Sequence, residues 1–470
     1  MAISDYTISE LGELYRKKEL SPVEVTEKML KLAKDSQPQI NSIVLFTEER
    51  AMKEAKLAEK KFMGNEKCSP LCGIPYNVKD LIDVKGTATT MGCKAYHDNY
   101  KEHDSAVVEM LSAAGAVLMG KSNTSQLAMG TTGDVSLFGA TRNPRNLEKV
   151  PGGSSCGSGA SVAAGISAFS IGTDQGGSVR IPAAFCGVVG IKPTFGRISY
   201  YCSASAHKMV DHLGVSTRNV YDNALVLSAA SGYDPRYEYS FNAPSQNFAK
   251  EITRSAEGMI ICVPTKFCYD DVEYWLTEQY TKALEILKEG GAKVKEVEMP
   301  DLSTYRKAHQ QIFMVGAIYN HAYILAERGD QIESEMYDRM KAGDIPASEF
   351  FKDIEMQKDL MKIFLDLMDG CDFMFTPTMG AFPCGQMERE ITLNGQKVPI
   401  YEPNTRYTWW GNYLGMPGLT IPVAFNKDNN AANVQFVGRQ GEEAKLYRAA
   451  SYVEHVVGSA DITKLPGLDY

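Results

Sequence analysis

The stretch that most constrains the fold runs from Gly258 to Glu298. Gly258–Val263 is short and apolar, as a buried strand is. Val272–Glu289 carries apolar residues at helical spacing and stops at Gly290-Gly291, after which Val294–Glu298 alternates as a strand. A helix of this length between two strands is the crossover that parallel strands require, so the stretch reads as a βαβ unit. The same pattern begins at about Cys68. Ala106–Ala114 reads as a helix closed by Gly115, and Ala116-Val117-Leu118-Met119 as a buried strand. The expected fold class is α/β with a mixed or mostly parallel sheet.

The rest of the chain fits around that core. Residues 1–65 read as a helical segment. Thr7-Ile8-Ser9-Glu10 matches a capping box, and Ser21-Pro22-Val23-Glu24 matches one with proline at the first helical position. Residues 300–370 are helical and rich in Met, Tyr and charge, as a variable region or lid would be. Residues 380–410, with several prolines and little periodicity, read as a long loop. At roughly 150 residues per domain the length would allow three domains. No linker, repeat or low-complexity tract divides the chain, however, and a single unit over 1–470 is expected, with a core at about 70–200.

Composition narrows the partners. The net charge of −9 argues against general affinity for nucleic acid or anionic membranes. The lysines of 53–61 are interleaved with glutamates and read as a solvated helix face. The ten cysteines show no CxxC and no zinc-type spacing with histidine, so reduced thiols and no metal are expected. Met1 to Arg16 is polar, with no apolar signal core, and no apolar run approaches the ~18 residues of a membrane span. A cytoplasmic protein is expected, with neither membrane nor nucleic acid as a direct partner; a homodimer is compatible with the sequence.

Two formal motifs compete for the chemistry. Gly115-Ala116-Val117-Leu118-Met119-Gly120-Lys121-Ser122 satisfies GxxxxGK[ST], but its four intervening residues are apolar and read as strand, not as an anion-cradling turn. The stronger signal is a pair of glycine–serine segments, Gly152 to Gly159 and Gly172 to Ser178, preceded by Lys79 in Gly73-Ile74-Pro75-Tyr76-Asn77-Val78-Lys79-Asp80. They offer two serines and a lysine: a nucleophile, a proton relay and a base. Serine is a weak nucleophile until a base takes its proton. None of the seven histidines sits in a recognisable elbow such as GxSxG, whereas lysine serves if burial depresses its pKa. The pattern suits acyl transfer on an amide without histidine.

Taken together, these segments resemble the amidase signature family. Ser154 and Ser178 are 24 positions apart, as in the family, and the continuation Val179 to Thr194 is similar to it. So are Gly73–Asp80 and Gly120–Gly130, with weaker likeness at Asp211–Gly214, Thr376–Thr378 and Gly415–Pro422. The resemblance covers nearly the whole chain from about residue 70. It implies a large, mixed, mostly parallel twisted sheet with helices on both faces. It also implies roles: Ser178 as nucleophile, Ser154 as relay on a cis peptide after Gly153, and Lys79 as a neutral general base. The backbone N–H groups of Gln175, Gly176, Gly177 and Ser178 would form the oxyanion hole, and Met129, Gly130 and Thr131 would border the acyl pocket. No cofactor is implied.

Two departures from the family pattern stand out. Cys156 takes a position usually held by glycine, and Gln126 one often held by glutamate. Tyr407, Trp409, Trp410 and Tyr413 form an aromatic cluster expected in the core, and Arg406 is the nearest cation, with a surface role expected. The implied activity is hydrolysis of a small carboxamide to an acid and ammonia or amine. The alternatives are a glutaminase-type subunit of a tRNA-dependent amidotransferase, and an esterase or acyl transferase using the same three residues. Residues 380–410 look unlike that subunit.

Overall fold

The structure, a computed structural model, describes residues 2–205 and 207–470. Its strands are β1 (Ile43–Phe46), β2 (Pro75–Lys79), β3 (Val117–Ser122), β4 (Phe169–Asp174), β5 (Val189–Lys192), β6 (His212–Thr217), β7 (Ile260–Pro264), β8 (Lys293–Val297), β9 (Phe373–Pro377), β10 (Glu390–Leu393), β11 (Gln396–Pro399), β12 (Gly418–Phe425) and β13 (Ala431–Val437). Eleven of them form one sheet in the order β1-β3-β2-β4-β6-β5-β12-β13-β9-β7-β8. β10 and β11 pair only with each other, in a separate two-stranded sheet.

The α/β class and the mixed sheet are as the sequence implies. Parallel pairing lies in two triplets, β3-β2-β4 and β9-β7-β8. Helices Ala106–Ala113, Cys156–Ala163 and Tyr274–Glu289 supply crossovers within them. The strands between the triplets, and β1 at the edge, pair antiparallel. The βαβ unit of the sequence is β7, the helix Tyr274–Glu289 and β8.

Both faces of the sheet are covered. Along β9, Phe373 and Phe375 join one hydrophobic cluster while Met374 joins another, and along β7 Ile261 and Val263 part from Cys262 in the same way. That alternation is the period-two signature of a strand buried on both sides. The second cluster includes Phe364, Trp409, Trp410 and Tyr413, so the aromatic group belongs to the core.

Both predicted capping boxes form. Thr7 accepts from Glu10 N–H and Ser21 from Glu24 N–H, with Pro22 at the start of its helix. Residues 300–370 form helices Ser303–Arg328, Ser334–Lys341 and Ala347–Leu367. The long loop expected over 380–410 is corrected: it holds the β10–β11 hairpin and the short helix Tyr401–Thr405. The hairpin turns at Asn394-Gly395, both with positive φ, which is the dipeptide that a two-residue hairpin favours. Among the described residues no helix is long and apolar enough to cross a membrane. All ten cysteines are free thiols.

Candidate active site

The site forms where three neighbouring parallel strands end. Lys79 is the last residue of β2, Asp174 of β4 and Ser122 of β3. Strands running the same way release their loops at the same edge, where ligands of open α/β sheets are bound. The two glycine–serine segments meet there. Ser155 N–H donates to Ser178 O (3.1 Å), and the Ser155 hydroxyl donates to Thr173 O (3.0 Å). Gly172 permits this approach, since a Cβ on it would lie 2.7 Å from Ser155 Oγ.

Lys79, Ser154 and Thr173 are fully buried. Lys79 Nζ lies 2.6 Å from Ser154 Oγ and 2.7 Å from Thr173 Oγ1, and the Gly153–Ser154 peptide is cis. Burial pushes the lysine down to about 7, against an opposing pull from Asp174 and Asp211. Close to neutral pH this amine can therefore lose its proton, which a surface lysine does not do. The P-loop-like motif has a different use: Lys121 is buried in an ion pair with Asp80 (2.7 Å) and donates to Ala88 O and Thr89 Oγ1.

Ser178 is partly exposed and lines a cavity of about 620 Å³. Met129, Gly130 and Thr131 line it too, as do Gln175 and Gly176. Lys79 and Ser154 are not among its lining residues; they lie away from solvent. Helix Ser303–Arg328 and the helix after it contribute His309, Phe313, Met336 and Arg339 to its walls. Arg406 is not in the lining; it faces Asp271 and Glu402. Among the described residues no group of three or more His, Cys, Asp or Glu is placed to hold a metal ion.

The turn from Asp174 to Ser178 narrows the expected oxyanion hole. Gly177 N–H donates to Asp174 Oδ1 (2.8 Å), so it is already committed. The N–H groups of Gln175, Gly176 and Ser178 donate to no acceptor among the described residues. Gly177 has φ of 131°, and a Cβ there would collide with Thr408 Oγ1 and Ile181. Glycine is therefore required on both grounds.

Several residues that hold this turn carried no role in the sequence reading. Arg180 is fully buried and binds Asp174 through two nitrogens, Nη2 to Oδ1 (3.0 Å) and Nε to Oδ2 (3.1 Å). Burial alone would raise the Asp174 carboxyl, but Arg180, Lys192 and the Val179 N–H hold it well below the usual carboxylate range. Asn412 donates to Asp174 O (2.7 Å) and Thr408 donates to Gly176 O (2.6 Å). Their spacing of four, threaded through the aromatic cluster, was the available signal for one polar face. His309, 134 positions from Gln175, had no such signal. Its Nε2 donates to Gln175 O (2.9 Å), and burial pushes the imidazole down to about 4.

The departures also find places. The buried Cys156 thiol takes a hydrogen bond from Thr141 (3.4 Å), and burial pushes it up to about 11, so it stays protonated. Gln126 Oε1 accepts the Glu333 N–H (2.9 Å), tying the helical region to the core.

Removing Arg180 leaves Asp174 buried without its partner. Arg180→Met is expected to cost about 3–5 kcal/mol in urea unfolding at neutral pH. Adding Asp174→Asn is expected to return part of that. A single variant as stable as wild type would contradict the pinned-turn description.

A family model described as Amidase matches residues 24–447. The chain is 32% identical over 481 residues to a glutamyl-tRNA(Gln) amidotransferase subunit from Geobacillus kaustophilus (strain HTA426), covering 97% of this chain and 98% of the other. Among solved structures, it superposes with TM-score 0.92 and 28% identity on a chain from a vestigial protein complex that reveals the origins of an s-triazine catabolic enzyme. That match covers 97% of this chain and 100% of the other. A bacterial aryl acylamidase of the amidase signature enzymes matches with TM-score 0.88 and 25% identity, over 96% of each chain.

Proposed function

Because the chain belongs to the amidase signature family, whose members are amide hydrolases, we propose that Ser178 is the nucleophile, Ser154 the relay and Lys79 the base of an amidase acting on a carboxamide. The observation that carries the reading is the Lys79–Ser154 contact of 2.6 Å, buried beside a cavity that Ser178 lines.

The reaction balances without any other group. Ser178 Oγ attacks the carbonyl carbon as its proton passes to Ser154 Oγ, and the Ser154 proton passes to neutral Lys79 Nζ. The carbonyl oxygen becomes an oxyanion held by the N–H groups of Gln175, Gly176 and Ser178. Collapse of this intermediate breaks the C–N bond, and the departing nitrogen takes the proton back from Lys79 through Ser154. Water then attacks the ester on Ser178 by the same relay, releasing the acid. Met129, Gly130 and Thr131 would border the acyl group. The cavity volume, with Phe313, Met314 and Ile400 in its walls, suits an acyl group with apolar surface.

A second reading makes the chain one component of a larger assembly, releasing ammonia from glutamine. Similarity to the glutamyl-tRNA(Gln) amidotransferase component over nearly both whole chains supports it. The alignment with that protein spans 97% of this chain and so runs through residues 380–410. Ammonia release from glutamine and from aryl and aliphatic amides by the purified chain separates the readings. Partner-free turnover supports the stand-alone amidase. Turnover that needs the other amidotransferase components supports the second reading. Esters and added amines in the same assay test esterase and acyl-transfer activity.

The base must be neutral to accept a proton, so activity is expected to rise with pH. Below the apparent pKa of about 7, kcat/KM should fall about tenfold per pH unit, and above it the profile should level. Measurement from pH 5 to 9 checks this; a flat profile would contradict a lysine base.

A further inference from the structure

The turn that carries the oxyanion donors is fixed peptide by peptide. Asp174 O is held by Asn412, Gly176 O by Thr408, Gly177 N–H by the Asp174 carboxylate and Ser178 O by Ser155 N–H. Of the two remaining carbonyls, Gly177 O accepts the Ile181 N–H at 2.7 Å, and Gln175 O is held by His309 Nε2 at 2.9 Å. His309 comes from helix Ser303–Arg328, so this support originates in the helical region outside the glycine–serine segments. Its ring is buried against Trp409 and Tyr413, with centroids 5.6 and 5.9 Å away.

We infer that His309 is a positioning residue for the oxyanion hole, an inference that rests on the catalytic reading above. Gln175 O and Gly176 N–H belong to one peptide, and in a trans peptide they point to opposite sides. Holding the carbonyl toward His309 therefore aims the Gly176 N–H away from the imidazole and fixes it as a donor. Gly176 has no Cβ to resist rotation of that peptide, so the restraint has to come from outside the turn. Because the acceptor is a carbonyl, His309 carries its proton on Nε2. Its Nδ1 is buried with no hydrogen-bond partner among the described residues.

The donor atom gives a specific test. A glutamine amide nitrogen reaches about as far along the side chain as Nε2, an asparagine amide only as far as Nδ1, and methionine donates nothing. Wild type, Ser178→Ala, His309→Gln, His309→Asn and His309→Met would be reacted with a fluorophosphonate, whose phosphoryl oxygen occupies the oxyanion position. Labelling rates would be followed by mass spectrometry, with thermal unfolding as a check on folding. His309→Met and His309→Asn are expected to label on the order of 10²-fold more slowly than wild type, in the range for loss of one oxyanion donor. His309→Gln is expected to recover most of the rate. With an amide substrate the loss should appear in kcat, with KM changed less than about threefold.

Folded His309→Met labelling at the wild-type rate would overturn the inference. So would folded Gln, Asn and Met variants that are all equally slow, since that pattern belongs to packing alone. Folded wild type that leaves Ser178 unlabelled would instead overturn the catalytic reading, and this inference with it.

Discussion

Ser178→Ala is expected to lower amide hydrolysis by on the order of 10⁴-fold or more while leaving the protein folded. The reason is chemical: no other hydroxyl on the Gln175–Ser178 turn lines the cavity beside the free N–H groups. Ser178 is partly exposed, so losing its hydroxyl creates no large buried void. The melting temperature should therefore stay within a few degrees of wild type. Comparing ammonia release and thermal unfolding on the same preparations checks both halves. A folded variant with a tenth of wild-type activity would assign the nucleophile elsewhere.

Lys79→Met is expected to reduce kcat/KM by on the order of 10³–10⁴, at the upper end for loss of a general base. Methionine fills much of the space but accepts no proton, and Ser154 and Thr173 each lose a partner. The residual activity should no longer rise through pH 7, because the group that titrates there is gone. Lys79→Arg is expected to be no better, since a guanidinium stays protonated. A Lys79→Met profile that keeps the wild-type pH dependence would place the titrating base elsewhere.

What could be read from the sequence followed the range of the interactions involved. Helix caps depend on residues three apart, and both capping boxes were legible at Thr7 and Ser21. The βαβ unit at 260–297 was legible from hydrophobic period and length. The antiparallel middle of the sheet was not, because strand order depends on pairings such as β4 with β6 and β5 with β12. The β10–β11 hairpin had its signal in Asn394-Gly395, obscured by the nearby prolines.

The candidate site divides in the same way. Lys79, Ser154 and Ser178 were candidates from the glycine–serine segments and the upstream lysine, with their roles implied by the family resemblance, and the fold brings Lys79 to Ser154 beside the cavity that Ser178 lines. The Gly177 N–H looked like one donor among four. Its commitment to Asp174 depends on where the carboxylate turns, which Arg180 decides while being held in turn by Gln435 and Asn412 from distant parts of the chain. His309 was invisible for the same reason: only the folded helix brings it to Gln175. The aromatic cluster was placed correctly in the core. Thr408 and Asn412, between its members, are the residues that reach the turn.

Peptide mapping of the enzyme, quenched in acid during turnover of its preferred amide, locates the residue that carries the acyl group. A mass increase equal to the acyl group is expected on the peptide carrying Ser178, absent in Ser178→Ala. An adduct on any other residue, or full turnover by Ser178→Ala, would contradict Ser178 as the nucleophile.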